Sequence, residues 1–233
     1  APFQIGLWQN NGVLAQTPLE NTLRYDSIIA QIPQISQSTK IGYAQALMKN
    51  GTAVSGVILK GFDVAYDWKN VKPFLVEGRM PKSKKEVLIS NQLAKKMDFS
   101  VGQKLFLFVI DVDNKKERVK QLQAVGFYHA GVSDLDRKFV FSTLPLIQDI
   151  NNWEEGIFSA YDVWTTTHNV AQTEETIAQQ LPFELTLKSP ATLYPNIFMW
   201  IEMFDTNVYI LLIIIGLVAS INMISTLLIT LIE

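Results

Sequence analysis

The residues able to do covalent or metal chemistry are few. Two histidines, His129 and His168, are the only imidazoles in 233 residues. In "HAGVSDLDRK" His129 is followed by Asp134 and Asp136, one nitrogen and two carboxylates of the kinds that bind divalent cations. A helical metal site places its ligands at i and i+4 so that they share a face, and neither histidine has a partner at that spacing. The stretch is expected to be a solvated loop between strands. Glu154-Glu155 and Glu174-Glu175 lie in polar runs and read as solvated faces, and the charged run Lys82 to Glu86 reads as a surface loop. There is no cysteine, which excludes thiol catalysis and disulfides. No G-x-S-x-G elbow, P-loop or glycine-rich phosphate cradle occurs. The expectation is a chain that is not an enzyme and binds no cofactor or metal. Net charge is −2, without a basic stripe, which argues against nucleic acid.

Polar groups mean more where water is scarce. No charged residue occurs between Asn207 and Ile232, a run dominated by Ile, Leu and Val. Roughly 20 such residues cross a ~30 Å hydrocarbon layer as a helix, so this one is expected to be transmembrane. On a helical wheel Gly216, Ala219, Ser220, Asn222, Thr226 and Thr230 share a broad face. Ile214, Leu217, Val218, Ile221, Ile224 and Leu228 lie opposite, and Ser225 is out of place among them. Small and polar residues on one face suit close helix packing, and the amide of Asn222 is costly in hydrocarbon unless it finds a partner. The segment therefore expects sister helices, as in a piece of a polytopic membrane protein, rather than a lone tail anchor. The amino terminus shows no secretory signal.

The remaining residues must form the elements that carry this helix. "TPLENTLRYDSIIAQIP" predicts a helix capped by Thr17, with Pro18 at its first position, Glu20 closing a capping box, and Leu19, Leu23 and Ile28 on one face. Asn50-Gly51 between alternating runs predicts a hairpin with a type I′ turn. Ser90 is expected to cap a helix over 91–97, Gly102 to lie in the next turn, and 105–110 to form a buried strand. The polar tip Asp111 to Lys116 turns into a returning strand. Gly51, Gly56 and Gly61 are read as hairpin glycines. A helix follows from about Thr143, then a strand in "FSAYDVWT", a helix in "NVAQTEETIAQQL" and a strand in "FELTLK". A last helix begins near Tyr194 or Pro195 and continues as an amphipathic stalk (Ile197, Phe198, Ile201, Phe204) into the apolar run. The class is α+β.

The run "LYPNIFMWIEMFDTNVYILLIIIGLVASINMISTLLITLIE" resembles the second transmembrane helix of FtsX-like ABC transporter permeases, above all the lipoprotein-releasing (LolC/LolE) type. Asn222, Ile224, Ser225, Leu227 and Glu233 fall on positions of that pattern. "GVILKGFD", "EGRMP", "EVLISNQLAKKMDFSVGQKL" and "VGFYHAGVSDLDRKFVF" match upstream in the same order. The resemblance implies a MacB-like periplasmic domain with a porter part over 1–70 and 132–192, a β-rich insert over 71–131, and a stalk and transmembrane helix over 193–233. It implies a chain that begins after a first transmembrane helix, faces the periplasm of a bacterial inner membrane, and works with a second permease subunit and a cytoplasmic ATPase that binds the ATP. Lipoprotein would be the cargo, with Met223 and Leu227 lining an apolar cavity for acyl chains. Asp111, Asp113, Asn114, Lys115 and Lys116 at the hairpin tip would meet a periplasmic partner. That tip is short and lacks the proline of a carrier-recruiting hook, which favours a release-type subunit, or a permease that does both jobs differently. Two other readings stay open: a regulatory FtsX-type member that switches a periplasmic enzyme such as a cell-wall hydrolase, and an enzyme or receptor domain held by one anchor.

Overall fold

The computed structural model describes residues 3–8, 17–20, 22–111, 116–165 and 170–232. They form two compact units, Ala1–Ser189 and Pro190–Glu233. The first is α+β, as expected.

Among its described residues there are ten strands, β1 (Phe3–Leu7), β2 (Ile35–Asn50), β3 (Ala53–Phe62), β4 (Leu75–Gly78), β5 (Glu86–Ser90), β6 (Lys104–Asp111), β7 (Lys116–Tyr128), β8 (Phe139–Thr143), β9 (Ala160–Thr165) and β10 (Leu185–Lys188). All belong to one hydrogen-bonded sheet. Six of them close a circuit, β2-β3-β8-β5-β7-β6 and back to β2, which leaves no edge within the ring. An arm β9-β1-β10 continues from β2, and β4 flanks β7. Strands from residues 35–62 and from 86–143 thus share the ring.

Inward positions alternate with outward ones. In β6, Leu105, Leu107 and Val109 are buried whereas Phe106 is 44% exposed. The fully buried strand expected over 105–110 is therefore half-buried, because an unbroken aromatic and aliphatic run conceals a period of two. β1, which carried no strand signal, lies between β9 and β10 with Phe3, Gln4 and Ile5 all buried, so no alternation marked it.

Three local expectations change. Helix α1 spans Thr22–Ala30, later than the capping box proposed, since Leu19 pairs with Phe158 in a β-bridge instead. Tyr25, Ile29 and Ile32 face the core and Leu23 is 82% exposed. The β2–β3 loop is Gly51-Thr52, with positive φ at Gly51 and not at Thr52, so it lacks the type I′ pattern. Asn50 instead donates its amide to the carbonyls of Met97 and Asp98 at 2.8 and 3.1 Å. Those carbonyls end α2 (Asn91–Met97), whose first turn Ser90 caps from Leu93 N at 2.9 Å, as expected.

Gly61 belongs to the β2–β3 hairpin, in its strand and not in its turn. It pairs with Gly42 across β2 and β3, and a Cβ on it would sit 2.4 Å from Ile147 Cγ1. Helix α4 (Leu144–Asn151) packs onto this bare patch through the fully buried Ile147.

Candidate functional site: a membrane helix and a cleft at a forked strand

The second unit contains α6 (Pro190–Leu193) and α7 (Pro195–Ile232). At 1.5 Å per residue the 38 residues of α7 extend about 57 Å. Phe198–Ile229 has a mean hydropathy of 2.4 in its most apolar part, long and apolar enough to cross a membrane. Trp200 and Tyr209, both exposed, lie toward its start, where amphipathic rings suit a membrane–water interface.

The hydroxyls of the polar stripe turn back on their own helix. Ser220 donates to the Gly216 carbonyl at 2.8 Å, Thr226 to Asn222 at 2.9 Å, and Ser225 to Ile221 at 2.9 Å. The last bond explains how Ser225 is tolerated on the apolar side. No partner for the Asn222 amide occurs among the described residues, and a Cβ on Gly216 would meet nothing within 4 Å. Ala219, Met223 and Leu227 lie on the same exposed helix, as does the backbone of Thr230.

In the first unit, the length of β2 creates an opening. One edge pairs with β9 over 35–41 and with β6 over 47–49, and residues 42–46 meet neither strand. Side chains take over there: Tyr43 N donates to Ser159 Oγ at 3.2 Å, and Asn151 Nδ2 donates to the Tyr43 carbonyl at 2.9 Å. Arg118 from β7 closes the far side, donating to Asn152 Oδ1 at 2.5 Å and to the Ile150 carbonyl at 2.7 Å. The fork opens into a cleft of about 790 Å³, walled by Leu47, Gly56, Ile58, Phe108, Ile150 and Trp153 among others.

Two charge clusters pin the arm. Lys60 Nζ lies 2.5 Å from Asp162 Oδ2, with both side chains nearly buried, and Gln4 Nε2 reaches the Tyr43 hydroxyl at 3.1 Å. The Tyr161 hydroxyl donates to Asp26 at 2.7 Å, and Lys40 pairs with the same carboxylate. Burial, and then the hydrogen bond to Asp26, raise the Tyr161 pKa and keep the phenol protonated. The second cluster lines an open pocket of about 250 Å³ together with Asp63 and Tyr66.

The loop reading holds for His129, which is exposed between β7 and the next helix, and is corrected for Asp136. Residues Ser133–Lys138 form helix α3, and Asp136 is buried at 2% exposure. Its carboxylate accepts from Ala130 N and Gly131 N at 2.9 and 3.1 Å and lies 3.0 Å from His129 Nδ1, while its carbonyl accepts from Ser90 Oγ. Asp136 thus ties a turn to α2. Among the described residues no group of three or more His, Asp or Glu is placed to hold a metal ion. His168, and Asp113, Asn114 and Lys115 of the hairpin tip, lie outside the described residues, and of Asp111 and Lys116 only the backbone pairing is described. The forked strand went unforeseen because it depends on pairings with strands remote in sequence.

No protein-family model matches the sequence, and no curated protein matches it. Solved structures do. The extracellular domain of the noncanonic ABC-type transporter YknZ from Gram-positive bacteria aligns with a TM-score of 0.52 at 11% identity, over 81% of this chain and 100% of that one. The periplasmic region of MacB from Actinobacillus actinomycetemcomitans aligns with a TM-score of 0.52 at 11% identity, over 84% of this chain and 91% of that one. The fold is thus that of the MacB-like periplasmic domains of ABC-type transporters, with one apolar carboxy-terminal helix able to cross a membrane.

Proposed function

We propose that the chain is part of an ABC transporter permease subunit that couples cytoplasmic ATP hydrolysis to motion of a periplasmic domain, with lipoprotein of the bacterial inner membrane as cargo. The observation that carries this reading is the conjunction of a MacB-like fold with a 38-residue helix whose exposed stripe holds Gly216, Asn222 and other small residues. Such a stripe gives the helix a surface for sister helices. The chain performs no chemistry itself: ATP is bound by a separate ATPase subunit, and a second permease subunit completes the membrane part. Residues 71–131 act as the β-rich insert of a porter formed by the flanking segments, and Met223 and Leu227 face the acyl chains of the cargo.

The test is affinity purification of the full protein from native membranes. Co-purification of an ABC-type ATPase, with ATP turnover stimulated by a lipid-modified protein, supports the reading. An ATPase whose turnover ignores lipoprotein but responds to a bound periplasmic hydrolase moves the chain to the regulatory FtsX type. Absence of any ATPase refutes the coupling.

A further inference from the structure

Charge is unevenly placed along the chain. Residues 71–131 hold twelve Lys and Arg against six Asp and Glu, a net +6, although the whole chain is net −2. Part of this charge is neutralised or held within the fold. Arg79 pairs with Glu86 at 2.6 Å and Lys120 with Asp149 at 2.7 Å, and Arg118 is held by Asn152 and Ile150. Lys82, Lys84, Lys85, Lys95 and Lys104 are exposed and make no ion pair among the described residues.

The same part of the ring carries apolar side chains on its outer face. Leu47 lies opposite Phe108, and Phe108 opposite Val119. In the neighbouring row Lys49 lies between Val54 and Phe106, and Phe106 pairs with Gln121. Leu47 and Phe106 are 42% and 44% exposed, and Val54 and Val119 are each 52% exposed. Apolar residues gathered on one exposed face mark a contact surface. Lys49 Nζ stands 6.0 Å from the Phe108 ring, so its stem extends that surface. One row further on, Lys104 pairs with Gln123, whose amide donates to the Lys85 carbonyl, so two exposed lysines flank that end. These three rows contain no Asp or Glu, and Glu86, beside Gln123 on β5, is taken up by Arg79.

We infer that this face docks a separate protein whose contact surface is apolar at its centre and acidic at its rim. An apolar centre within a charged rim is the anatomy of a protein interface, and the lysines fix the sign of the partner. A bare polyanion would leave Leu47, Phe106 and Val119 without contacts. Binding to a membrane surface is the work of amphipathic helices and lipid anchors, whereas these side chains stand half-covered on a sheet. A second copy docked about a two-fold axis through this face would set lysines against lysines, which repels. The inference goes beyond the permease reading and stands without it, since docking here needs neither ATP nor a second subunit.

The test places benzoylphenylalanine at Val119 of the full protein in its native cells and identifies each adduct, with its crosslinked peptide, by mass spectrometry. The same probe at Val64, 68% exposed and outside the face, is the control. The expected adduct is a different protein, captured at Val119 above Val64 through a segment whose apolar residues are flanked by Asp or Glu. Phe106→Gln, at an exposed position beside Gln121, should lower the yield about thirtyfold, the loss of one aromatic anchor. Lys85→Glu with Lys104→Glu should lower it at least about tenfold by reversing the steering charge, and Lys in place of the partner's acidic residues should restore it. A lipid adduct, an adduct of a second copy of this chain, or a captured segment without acidic residues overturns the inference. So do equal yields at Val119 and Val64, or yields unchanged in both variants.

Discussion

Adding one methyl group at Gly61 should loosen the helix that frames the fork. A Cβ there would lie 2.4 Å from Ile147 Cγ1, 2.9 Å from the Thr143 carbonyl oxygen and 3.1 Å from Leu144 Cα. Ordinary carbon contacts run at about 3.5–4.0 Å, so α4 would have to withdraw by roughly 1 Å. Ile147 is fully buried and cannot swing aside, and the other two contacts are backbone. Overpacking of this kind costs about 1–3 kcal/mol, and backbone contacts place Gly61→Ala near the top of that range. Ile147→Ala alone should cost about 2–5 kcal/mol through the cavity it leaves. Combined, the new methyl occupies part of that cavity, so the double variant should cost about 1–2 kcal/mol less than the sum. Urea unfolding of the full protein in detergent, followed by tryptophan fluorescence, measures each midpoint at constant slope. The same withdrawal would pull Asn151 from the Tyr43 carbonyl and Ile150 from Arg118. A neutral Gly61→Ala, or strictly additive costs, would refute the close-packing argument.

Three other outcomes are expected. Asp162→Asn removes the carboxylate that faces the buried Lys60 ammonium and should cost about 3–5 kcal/mol, whereas Lys60→Met with Asp162→Leu should restore most of the loss, both read from denaturant midpoints. Glu86, hydrogen-bonded by the Arg79 guanidinium and then by the Lys82 amide, has its pKa lowered from 4.5 to about 2. A depressed carboxyl stabilises the fold above its unfolded pKa and loses that contribution as pH falls through the folded one. Glu86→Gln should therefore cost about 1–2 kcal/mol at pH 7, after discounting for the exposure of Arg79, and the difference should vanish across pH 4.5 to 2 in an acid-unfolding series. Asn222→Leu should weaken association of α7 with neighbouring helices by about 0.6–2 kcal/mol, read by energy transfer between labelled subunits in proteoliposomes, and an unchanged transfer would remove Asn222 from the contact.

Signals confined to a few adjacent residues were legible in the sequence. Ser90 before an apolar helical turn announced its cap, Asn50-Gly51 announced a hairpin, and the uncharged run after Asn207 announced the long helix. Features set by distant pairing were not. Leu19 reads as a helix residue until Phe158 arrives to pair with it, and Asp136 reads as solvated until the turn at 130–131 folds over it. Gly61 reads only as a hairpin glycine because the close approach of Ile147 lies far along the chain. The cleft is the extreme case. It exists because β9 and β6 take different lengths of one edge of β2, a division of pairing that no local pattern encodes.

The central claim is that α7 belongs to a membrane assembly that handles acylated cargo under the control of an ATPase. The most direct measurement places a photo-crosslinker at Leu227 of the full protein in cells that also contain its ATPase. Capture of acyl-labelled lipoprotein that disappears when ATP drives release is the predicted result. Capture of neighbouring helices alone, unchanged by ATP, would contradict it.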